Sequence, residues 1–371
     1  MAIFGPNFPS KTIPNYPFKR IEFPSKIHLM KRPNQFDIAR RAGVGIATVD
    51  RVLNGRRKVK AETAERVYQA AIDVGYHAAP LIRHRIDQSA PEMTFGFVLP
   101  KQNQPFYASL SKALTDEVTA YHGIRGKAVF RYAKTQSPKE FADHFAALQD
   151  KVDVIGASAI NHDRVSQAVA AARNAGTPTF AMLNDFALDS RVTYIGLDNY
   201  KLGRLAGWIM TNVVSGAGTI AVLVGSSLWH GHQLRETGLR AYFRERAPNL
   251  RLQDTLLNLE TRQVTYEVVL EILETLPDLR GIYIAGGGVE GAVQALRENC
   301  APADIKLVVH PLTEEIRGAL RDEYITSIIS TPVQTLAASL VDEMATFALG
   351  KGPQNRPQRL LKPQILFPEY P

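Results

Sequence analysis

A short stretch of the chain, residues 46–58, carries side chains suited to contact with a nucleic acid. The residues expected to face it are Ile46, Ala47, Thr48, Asp50, Arg51, Asn54, Arg56, Arg57 and Lys58. The three cations that end this stretch are placed to bind backbone phosphates. Asp50 opposes this charge, because a carboxylate near phosphates must pair with a base or an arginine, or weaken binding. Together, these residues predict a DNA-contacting surface.

Three short helices over residues 36–76 would present this surface. The first would bury an apolar face made of Phe36, Ile38, Ala39 and Ala42. Gly43 would end it, because glycine accepts the left-handed conformation of a tight turn. The second helix, from about residue 46 to 53, would turn inward Val49, Val52 and Leu53. Helix, glycine-containing turn and helix form the helix-turn-helix arrangement, whose second helix enters the major groove.

The same residues resemble the DNA-binding head of lac repressor family regulators. The matches to that family's pattern are Asp37, Ile38, Ala39, Ala42, Gly43, Val44, Thr48, Val49, Arg51, Val52, Leu53 and Asn54. Two positions depart from it. Gly45 replaces a serine helix cap, which should weaken that cap by a few tenths of a kcal/mol. Asp50 replaces a serine on the DNA-facing helix. A basic surface helix pair, or a helix-turn-helix used for protein contacts, is the alternative interpretation.

The distribution of charge favours DNA as the partner. Residues 1–30 hold four Lys/Arg and one Glu, and residues 31–90 hold twelve Lys/Arg and six Asp/Glu. The whole chain has a net charge of +8, so residues 91–371 carry about −1. A basic N-terminal part joined to a nearly neutral larger part is typical of a DNA-binding module attached to another module.

Length and composition limit the remaining possibilities. The 371 residues predict a disordered basic leader over 1–30, a DNA-binding domain over 31–77, a hinge over 78–92 and a larger domain over 93–371. Met30 is an alternative start. The chain has no apolar run of 18 residues and no secretory signal, so neither a membrane span nor export is expected. The single cysteine, Cys300, fits a cytoplasmic protein.

From Met93 onward, apolar strand patterns alternate with amphipathic helix patterns. This alternation predicts parallel sheets covered by helices on both faces. The full pattern resembles the type I periplasmic-binding-protein fold that lac repressor family regulators carry as their sensor. The resemblance implies two α/β lobes around a shared cleft, with three chain crossings between them. The predicted fold class is therefore an all-α helix-turn-helix head followed by this two-lobe α/β domain.

Ligands of parallel α/β sheets bind beyond the carboxyl ends of the strands. The residues predicted there are Gln104, Phe106, Tyr107, Asn184, Asp185, Asp198, Arg235, Gly287, His310 and Thr331. In sugar-binding members of the family, an aromatic ring stacks on the sugar and the arginine of Arg-x-x-Gly donates to hydroxyls. Phe106, Tyr107 and Arg235 match those positions, and Asp198 matches a frequent carboxylate. A glycine triplet at 286–288 and His310 stand where many sugar binders have Asn-Asp and Asp, which counts against a simple pentose or hexose.

Each of these ligand residues also has an ordinary structural interpretation. Phe106 would then be part of the core, Arg235 part of a surface ion pair, and His310 a hydrogen-bonded loop histidine. The run GGGVEG at 286–291 also satisfies G-x-G-x-x-G, the pattern of dinucleotide-binding sites. An enzyme with a dinucleotide cofactor is therefore an alternative to the regulator. Such a site needs a carboxylate at the end of the next strand, where this chain has His310. The pair His230 and His232 lacks a third metal ligand at a suitable spacing.

The segment between the two predicted domains would be the hinge. The resemblance implies a helix that folds on the operator and inserts a leucine into the minor groove. This chain has Arg85 at the usual leucine position, and the replacements available are Leu81, Ile82 and Ile86.

The sequence therefore predicts a homodimeric, possibly tetrameric, cytoplasmic regulator. It would act as a repressor, binding operator DNA under the control of a sugar-like effector, with no cofactor, metal, catalysis or membrane involved. A solute-binding protein is the other rival, and the missing secretory signal together with the predicted head argues against it.

Overall fold

The computed structural model describes residues 32–54, 59–351 and 357–371. The predicted leader and the cations Arg56, Arg57 and Lys58 lie outside these residues. The chain divides between Ile86 and Asp87 into two compact units. The first is called the head here, and the second the large unit.

The head consists of helices whose bounds follow the predicted pattern. They are α1 Gln35–Ala42, α2 Ile46–Asn54, α3 Ala61–Asp73 and α4 Ala79–Ser89, the last of which runs past the division between the units. Asn34 caps α1, because its side chain accepts from the backbone N–H groups of Phe36 and Asp37, and Asp37 accepts in return from Asn34 N. Gly43 ends α1 in the left-handed conformation, at φ 66°. The predicted helix-turn-helix is therefore present.

The head has its own apolar core, in which Ile38, Val49 and Val67 are fully buried. Phe36 is 67% exposed, so the prediction that it belongs to the buried face of α1 is wrong. The reason is helical geometry. Ile38, Ala39 and Ala42 cluster on one side of α1, and at 100° per residue Phe36 lies about 110° from the middle of that cluster.

The predicted hinge is largely a helix that packs on the head. Ala79, Ile82 and Ile86 follow the i, i+3, i+7 spacing of one helical face, and all are buried in the head's core. Ile82 and Ile86 are therefore not available for insertion into DNA, and their prediction as groove wedges is wrong for this conformation. Leu81, on the other side of α4, is 61% exposed.

The large unit alternates strands and helices, as predicted. Its strands are β1 Glu92–Pro100, β2 Arg125–Ala133, β3 Val154–Ala157, β4 Thr179–Met182, β5 Tyr194–Gly196, β6 Gly218–Val224, β7 Leu250–Leu252, β8 Leu256–Leu257, β9 Leu279–Ile284, β10 Lys306–Val309, β11 Ser327–Ser330, β12 Gln358–Leu360 and β13 Gln364–Leu366. Its helices are α5 Pro105–Ala120, α6 Pro138–Leu148, α7 Asp163–Asn174, α8 Asn199–Val213, α9 His230–Arg246, α10 Arg262–Thr275, α11 Val289–Asn299, α12 Glu314–Arg321 and α13 Val333–Ala348.

These strands form two sheets, each at the centre of one lobe. The sheet of the first lobe has the order β12-β5-β4-β3-β1-β2, and that of the second has the order β13-β11-β10-β9-β6-β7, with β8 also paired to β6. Strand pairs are parallel except that β13 runs antiparallel to β11. The chain crosses between the lobes after β5, after β11 and between β12 and β13. The predicted two-lobe α/β fold is therefore confirmed, including its three crossings.

Among the residues that the structure describes, no helix is both long and apolar enough to cross a membrane. The same residues hold no group of three or more His, Cys, Asp or Glu side chains placed to bind a metal ion.

Candidate functional site

Helix α2 presents an outward surface made of the residues predicted to face DNA. Val49 and Val52 are buried against the rest of the head, which fixes the rotation of the helix. Ile46, Ala47, Arg51 and Asn54 are exposed as a result, and Thr48 and Asp50 are half-buried. The Asp50 carboxylate has a partner on its own helix, because Asn54 Nδ2 donates to Asp50 Oδ1 at 2.5 Å.

A cavity of about 100 Å³ lies between the two lobes of the large unit. It is lined by Gln104, Phe106, Tyr107, Ser158, Leu183, Asn184, Trp229, Gly231, His232, Arg235, Glu260, Gly286, Gly287, His310, Pro311 and Thr331. Nearly all of these residues lie in loops or first helical turns after the carboxyl ends of strands, where ligands of α/β folds bind. A second cavity of about 380 Å³ shares five wall residues with the first, namely Gln104, Phe106, Glu260, Gly287 and Pro311.

Two predicted ligand residues do not line the cavity, because other groups occupy their carboxylates. Asp185 forms a two-pronged ion pair with Arg191, whose Nε and Nη2 donate at 2.5 and 2.8 Å. Asp198 caps helix α8, where it accepts from Lys201 N at 3.1 Å. Both side chains therefore have structural roles in this conformation, which differs from the sequence prediction. The other eight predicted residues do line the cavity.

Arg235 is held inside the cleft by neutral oxygens. Its Nε donates to Asn199 Oδ1 at 2.8 Å, and its Nη1 donates to the backbone oxygen of Ala285 at 2.6 Å. Burial lowers the pKa of the guanidinium. No carboxylate of the described residues lies within ion-pair distance of it, so the interpretation of Arg235 as a surface ion pair does not fit. Nη2 makes no hydrogen bond to these residues, which leaves a donor at the cavity wall.

Asn184 also lines the cavity, but both the oxygen and the nitrogen of its side-chain amide are hydrogen-bonded within the protein. Its Oδ1 accepts from Gly231 N in the second lobe at 2.6 Å, and its Nδ2 donates to Ala159 O in the first lobe at 2.5 Å. Asn184 therefore links the lobes.

His310 lies at the cavity wall with both ring nitrogens occupied. Its Nδ1 is 3.0 Å from the Ile329 carbonyl, which can only accept, so the proton is on Nδ1. Its Nε2 then accepts from the Tyr283 hydroxyl at 2.6 Å. Burial lowers the pKa of His310 well below its usual range, so the ring is neutral. His310 is thus a hydrogen-bonded histidine that shapes the wall.

Glu260 was not predicted from the sequence, yet its carboxylate is central to the site. Its Oε1 accepts from Gly287 N at 3.0 Å, and its Oε2 is 3.8 Å from Lys101 Nζ, which belongs to the other lobe. Lys101 Nζ also donates to the backbone oxygens of Leu259 and Glu260 at 3.0 and 3.3 Å. Lys101, Leu259 and Glu260 all have positive φ, between 49° and 54°, an unusual backbone conformation that clusters at ligand sites.

His232 is the neutral neighbour of Glu260. Its Nδ1 accepts from Gly225 N at 3.3 Å, so the ring proton is on Nε2, which lies 3.6 Å from Glu260 Oε1. Burial lowers the pKa of His232 to about 4, although the charge of Glu260 opposes this shift. A Cβ on Gly286 would lie 2.5 Å from the His232 ring and 2.8 Å from Glu260 Oε1. The glycine run thus makes room for these side chains, which explains it without a dinucleotide.

Trp229 completes the inner wall and was likewise not predicted. The side chain is 3% exposed, and its ring meets Phe141 edge-on with the ring centres 6.4 Å apart. Its Nε1 has no hydrogen-bond partner among the residues that the structure describes. Trp229 directly precedes α9 and gives that helix no side-chain cap. No motif would have singled it out, because its position depends on how β6 and α9 pack.

Comparison with known proteins gives two family matches that divide the chain as the fold does. Residues 95–352 match the periplasmic binding protein domain, and residues 36–79 match the lacI family of bacterial regulatory proteins. Catabolite control protein A of Priestia megaterium is 34% identical over 86 residues, which are 23% of this chain and 25% of that protein. The HTH-type transcriptional regulator DegA of Bacillus subtilis is 30% identical over 138 residues, 35% of this chain and 38% of that protein.

These matches span between a quarter and two fifths of the length of the two regulators. Among solved structures, an ABC transporter solute binding protein from Agrobacterium vitis, bound with alpha-D-tagatopyranose, superposes with a TM-score of 0.69. That superposition covers 75% of this chain and 95% of the other at 16% identity, which establishes a shared fold. The chain belongs to the periplasmic binding protein domain family and carries, at residues 36–79, a segment of the lacI family of bacterial regulatory proteins, as its sequence predicted.

Proposed function

We propose that this protein is a transcription regulator that binds operator DNA through α2 and responds to a small molecule in the cleft. The observation that carries the proposal is the joining of two parts in one chain. A helix-turn-helix head with Arg51 exposed on its second helix precedes a two-lobed unit with a cavity lined by polar and apolar side chains of both lobes. A DNA-reading surface and a ligand-binding cleft in one polypeptide are what ligand-controlled transcription requires.

The proposed DNA surface combines shape and charge. Helix α2 is rotated so that its polar side faces outward, and residues 31–90 contain twelve Lys/Arg against six Asp/Glu. Arg51 would contact base edges, and Arg56, Arg57 and Lys58 would contact phosphates. The pairing of Asn54 with Asp50 occupies one oxygen of the carboxylate, which reduces its repulsion toward the DNA backbone.

The proposed effector is a small polyhydroxylated molecule. Donors and acceptors line the cavity from both lobes, and Phe106 with Tyr107 adds aromatic surface to its wall. This mixture of polar groups and rings suits a sugar or a related metabolite. The solute binding protein of similar fold from Agrobacterium vitis holds a sugar, which supports the same class of ligand here.

Further parts of the proposal rest on the resemblance to lac repressor family regulators. We propose a homodimer in the cytoplasm that binds a nearly palindromic operator, because a two-fold protein matches a two-fold DNA site. Repression, rather than activation, is the proposed outcome of that binding.

The decisive experiment on DNA binding is a comparison of two arginine variants. An operator is first selected from random DNA with the full chain, and affinities are then measured by fluorescence anisotropy at fixed salt. Arg51→Ala should lose about 5- to 150-fold in affinity for the selected operator, because one base contact contributes about 1–3 kcal/mol. Arg244→Ala, an exposed arginine of α9, is the matched control and should bind as the wild type does. Equal affinity of Arg51→Ala and wild type would refute the assignment of α2.

The effector site has its own test. A thermal-shift screen of sugars and sugar derivatives identifies a ligand, since a ligand at 100 times its dissociation constant stabilises a protein by about 2.7 kcal/mol. Arg235→Ala should then keep operator binding but need about 10- to 150-fold more effector to change it. Phe106→Ala should show a smaller loss. A wild-type response of Arg235→Ala would place the ligand elsewhere.

A further inference from the structure

The loop between β6 and α9 places a side chain of the second lobe in the core of the first. Trp229 follows β6, a strand of the second sheet, yet it is 3% exposed within a cluster of buried apolar residues. The other buried members that the structure describes come from β1 to β5, from α6 and α7, and from the loops that join these elements, all in the first lobe. The Trp229 indole therefore reaches across the boundary between the lobes.

Apolar packing holds this side chain in place. The indole meets the ring of Phe141 in α6 edge-on, with the ring centres 6.4 Å apart, and the preceding Leu228 packs half-buried against the same cluster. Trp229 Nε1 has no hydrogen-bond partner among the residues that the structure describes, so the ring itself makes the contact. Separating the lobes would transfer this ring from a protein core to water. Burial of one large apolar side chain favours the closed arrangement by roughly tenfold or more.

Hydrogen bonds fix the same loop to the first lobe. Ser226 Oγ donates to Gln136 Oε1 at 2.7 Å, and Asn161 N donates to the Leu228 carbonyl oxygen at 3.1 Å. Gln136 and Asn161 lie in the loops that follow β2 and β3 of the first sheet. The link that Asn184 makes between the lobes joins the first turn of α9, directly beyond this loop. All of these bonds are made between protein groups, so the loop is held without a contribution from a ligand.

The lobes are joined beside both faces of the first sheet. Neighbouring residues of β1 point to opposite faces, since Phe97 and Leu99 belong to one buried cluster and Val98 belongs to the cluster that contains Trp229. Lys101, whose Nζ bonds to the second lobe, leads into α5, and α5 packs in the cluster of Phe97. The Lys101 and Trp229 contacts therefore act from different faces of the sheet, and the loss of either should shift molecules toward an open arrangement.

We propose that Trp229 is a lock that holds the two lobes closed whether or not a ligand is present. The lock is additional to the proposed function and does not depend on it, because only protein groups make its contacts. Trp229 is attached to the second lobe, so its ring must leave the first-lobe core when the lobes separate. Exposure of the indole is thus a direct measure of the open fraction. Under the proposed function, the protein itself supplies part of the closure on which effector affinity depends.

Tryptophan fluorescence tests the lock, because the chain contains two tryptophans. Trp208→Phe leaves Trp229 as the single indole of the full-length chain, and Trp229→Phe leaves Trp208, which is 52% exposed. Both variants are purified in urea and refolded, so that no small molecule is carried over, and acrylamide quenching is measured without ligand. With closed molecules about tenfold in excess, Trp229 should be quenched about a tenth as strongly as it is in urea. Quenching of Trp229 as strong as that of Trp208 would overturn the lock.

Small-angle scattering on alanine variants separates a lock from a residue that is only buried. Trp229→Ala should have a larger radius of gyration than the wild type without ligand, because its open fraction rises. Trp208→Ala is the matched control and should keep the wild-type value. Circular dichroism verifies that both variants are folded. A wild-type radius of gyration in folded Trp229→Ala would overturn the proposal.

A milder variant applies if Trp229→Ala does not fold. Phe141→Leu, made in the Trp208→Phe chain, removes the edge-on ring contact and should increase the quenching of Trp229 by about two- to tenfold. Phe347→Leu in the same chain is the control, since Phe347 lies in α13 and packs against the cluster on the other face of the sheet. It should leave the quenching unchanged. Equal quenching of Trp229 in these two variants would overturn the role of the apolar contact.

Discussion

At the scale of single residues, two glycines allow helices α8 and α9 to pack closely. A Cβ on Gly203 would lie 1.8 Å from the backbone oxygen of Arg235, and a Cβ on Gly238 would lie 2.0 Å from the backbone oxygen of Tyr200. Both distances are far below van der Waals contact. The glycine of the Arg-x-x-Gly pattern is therefore required by packing, and it sets the position of the helix turn that carries Arg235.

We predict that Gly238→Ala lowers the free energy of unfolding of the large unit by about 1–3 kcal/mol, because the added methyl group overpacks this contact. Urea unfolding followed by circular dichroism measures the change. Gly318→Ala in α12 is the matched control, since its nearest heavy atom, Arg321 Nη2, is 4.0 Å away. That variant should gain about 0.5–1 kcal/mol from helix propensity. The same sign of change in both variants would contradict the prediction.

His232 makes the stability of the large unit depend on pH. Its pKa is about 4 in the folded protein, whereas the ordinary histidine value of 6.5 applies to the unfolded chain. Between these values the unfolded state binds the additional proton, so stability falls as the pH falls from 6.5 toward 4. The loss due to this residue reaches about 3 kcal/mol. The buried His310 changes stability in the same direction.

We therefore expect His232→Gln to lose less stability than the wild type when the pH is lowered from 6.5 to 4.5. Denaturant unfolding at several pH values measures the slope of stability against pH. His122→Gln, at an exposed position, should keep the wild-type slope. A wild-type slope in His232→Gln would show that this histidine is not held neutral by the fold.

How far the sequence predicts the site differs from residue to residue. Arg235 was predictable because its motif lies in a helix that follows a recognisable strand. Glu260 follows β8, a strand of two residues, and its place at the cavity depends on two consecutive residues with positive φ. Asp185 was predicted to bind ligand because it follows β4, but Arg191 occupies its carboxylate. Tertiary packing decides which polar side chains remain free, and local patterns do not contain that information.

At the scale of secondary-structure elements, α4 has two faces with different expected roles. Ile82 is fully buried in the head, whereas the adjacent Leu81 is 61% exposed. Pro80 lies in the first turn, where its missing N–H breaks no helical hydrogen bond, so the sequence Ala-Ala-Pro was compatible with a helix.

We predict that Ile82→Ala destabilises the head by about 2–5 kcal/mol, measured by hydrogen exchange of α1 and α3. Leu81→Ala should leave that stability within about 0.5 kcal/mol of wild type. It should instead weaken operator binding, because Leu81 is the remaining exposed apolar side chain among the predicted wedges. If Leu81→Ala bound the operator with wild-type affinity, α4 would contribute no such wedge.

The longer elements of the fold follow from the sequence, as do the short strands β5 and β8, whereas three other short strands do not. Strands such as β1 and β6 are long stretches of mostly buried, mostly apolar residues, and the helices between strands show clear amphipathic periods. Strands β7, β12 and β13 have three residues each, too few to show a period. They form because neighbouring strands offer unpaired backbone groups. The third crossing, between β12 and β13, could therefore be expected only from the family resemblance.

At the scale of the whole large unit, Lys101 joins the two lobes across the cleft. Its ammonium group reaches the carbonyls of Leu259 and Glu260 as well as the Glu260 carboxylate. Burial lowers the pKa of Lys101, which reflects the cost of holding this charge in the closed cleft. These contacts stabilise the closed arrangement of the lobes, which is the arrangement able to enclose a ligand.

We predict that Lys101→Met weakens effector binding by about three- to tenfold, because a smaller fraction of molecules would be closed before the ligand arrives. Small-angle scattering should show a larger radius of gyration without ligand. Lys112→Met, at an exposed position paired with Asp116, is the control and should bind the effector as the wild type does. Effector binding and operator binding are also linked: the factor by which the effector alters operator affinity must equal the factor by which the operator alters effector affinity, in every variant. Unchanged effector affinity in Lys101→Met would refute this role.

The order of strands in the two sheets also has a consequence during synthesis. Strand β5 receives its partner β12 only after more than 150 further residues have been made, since Tyr194 pairs with Gln358. At ordinary rates of translation this interval is on the order of ten seconds. For that time β5 is an unpaired edge of a partly completed sheet, and such an edge is open to pairing with other chains. The head is short and its contacts are local, so it has the opportunity to fold on the ribosome before the large unit closes.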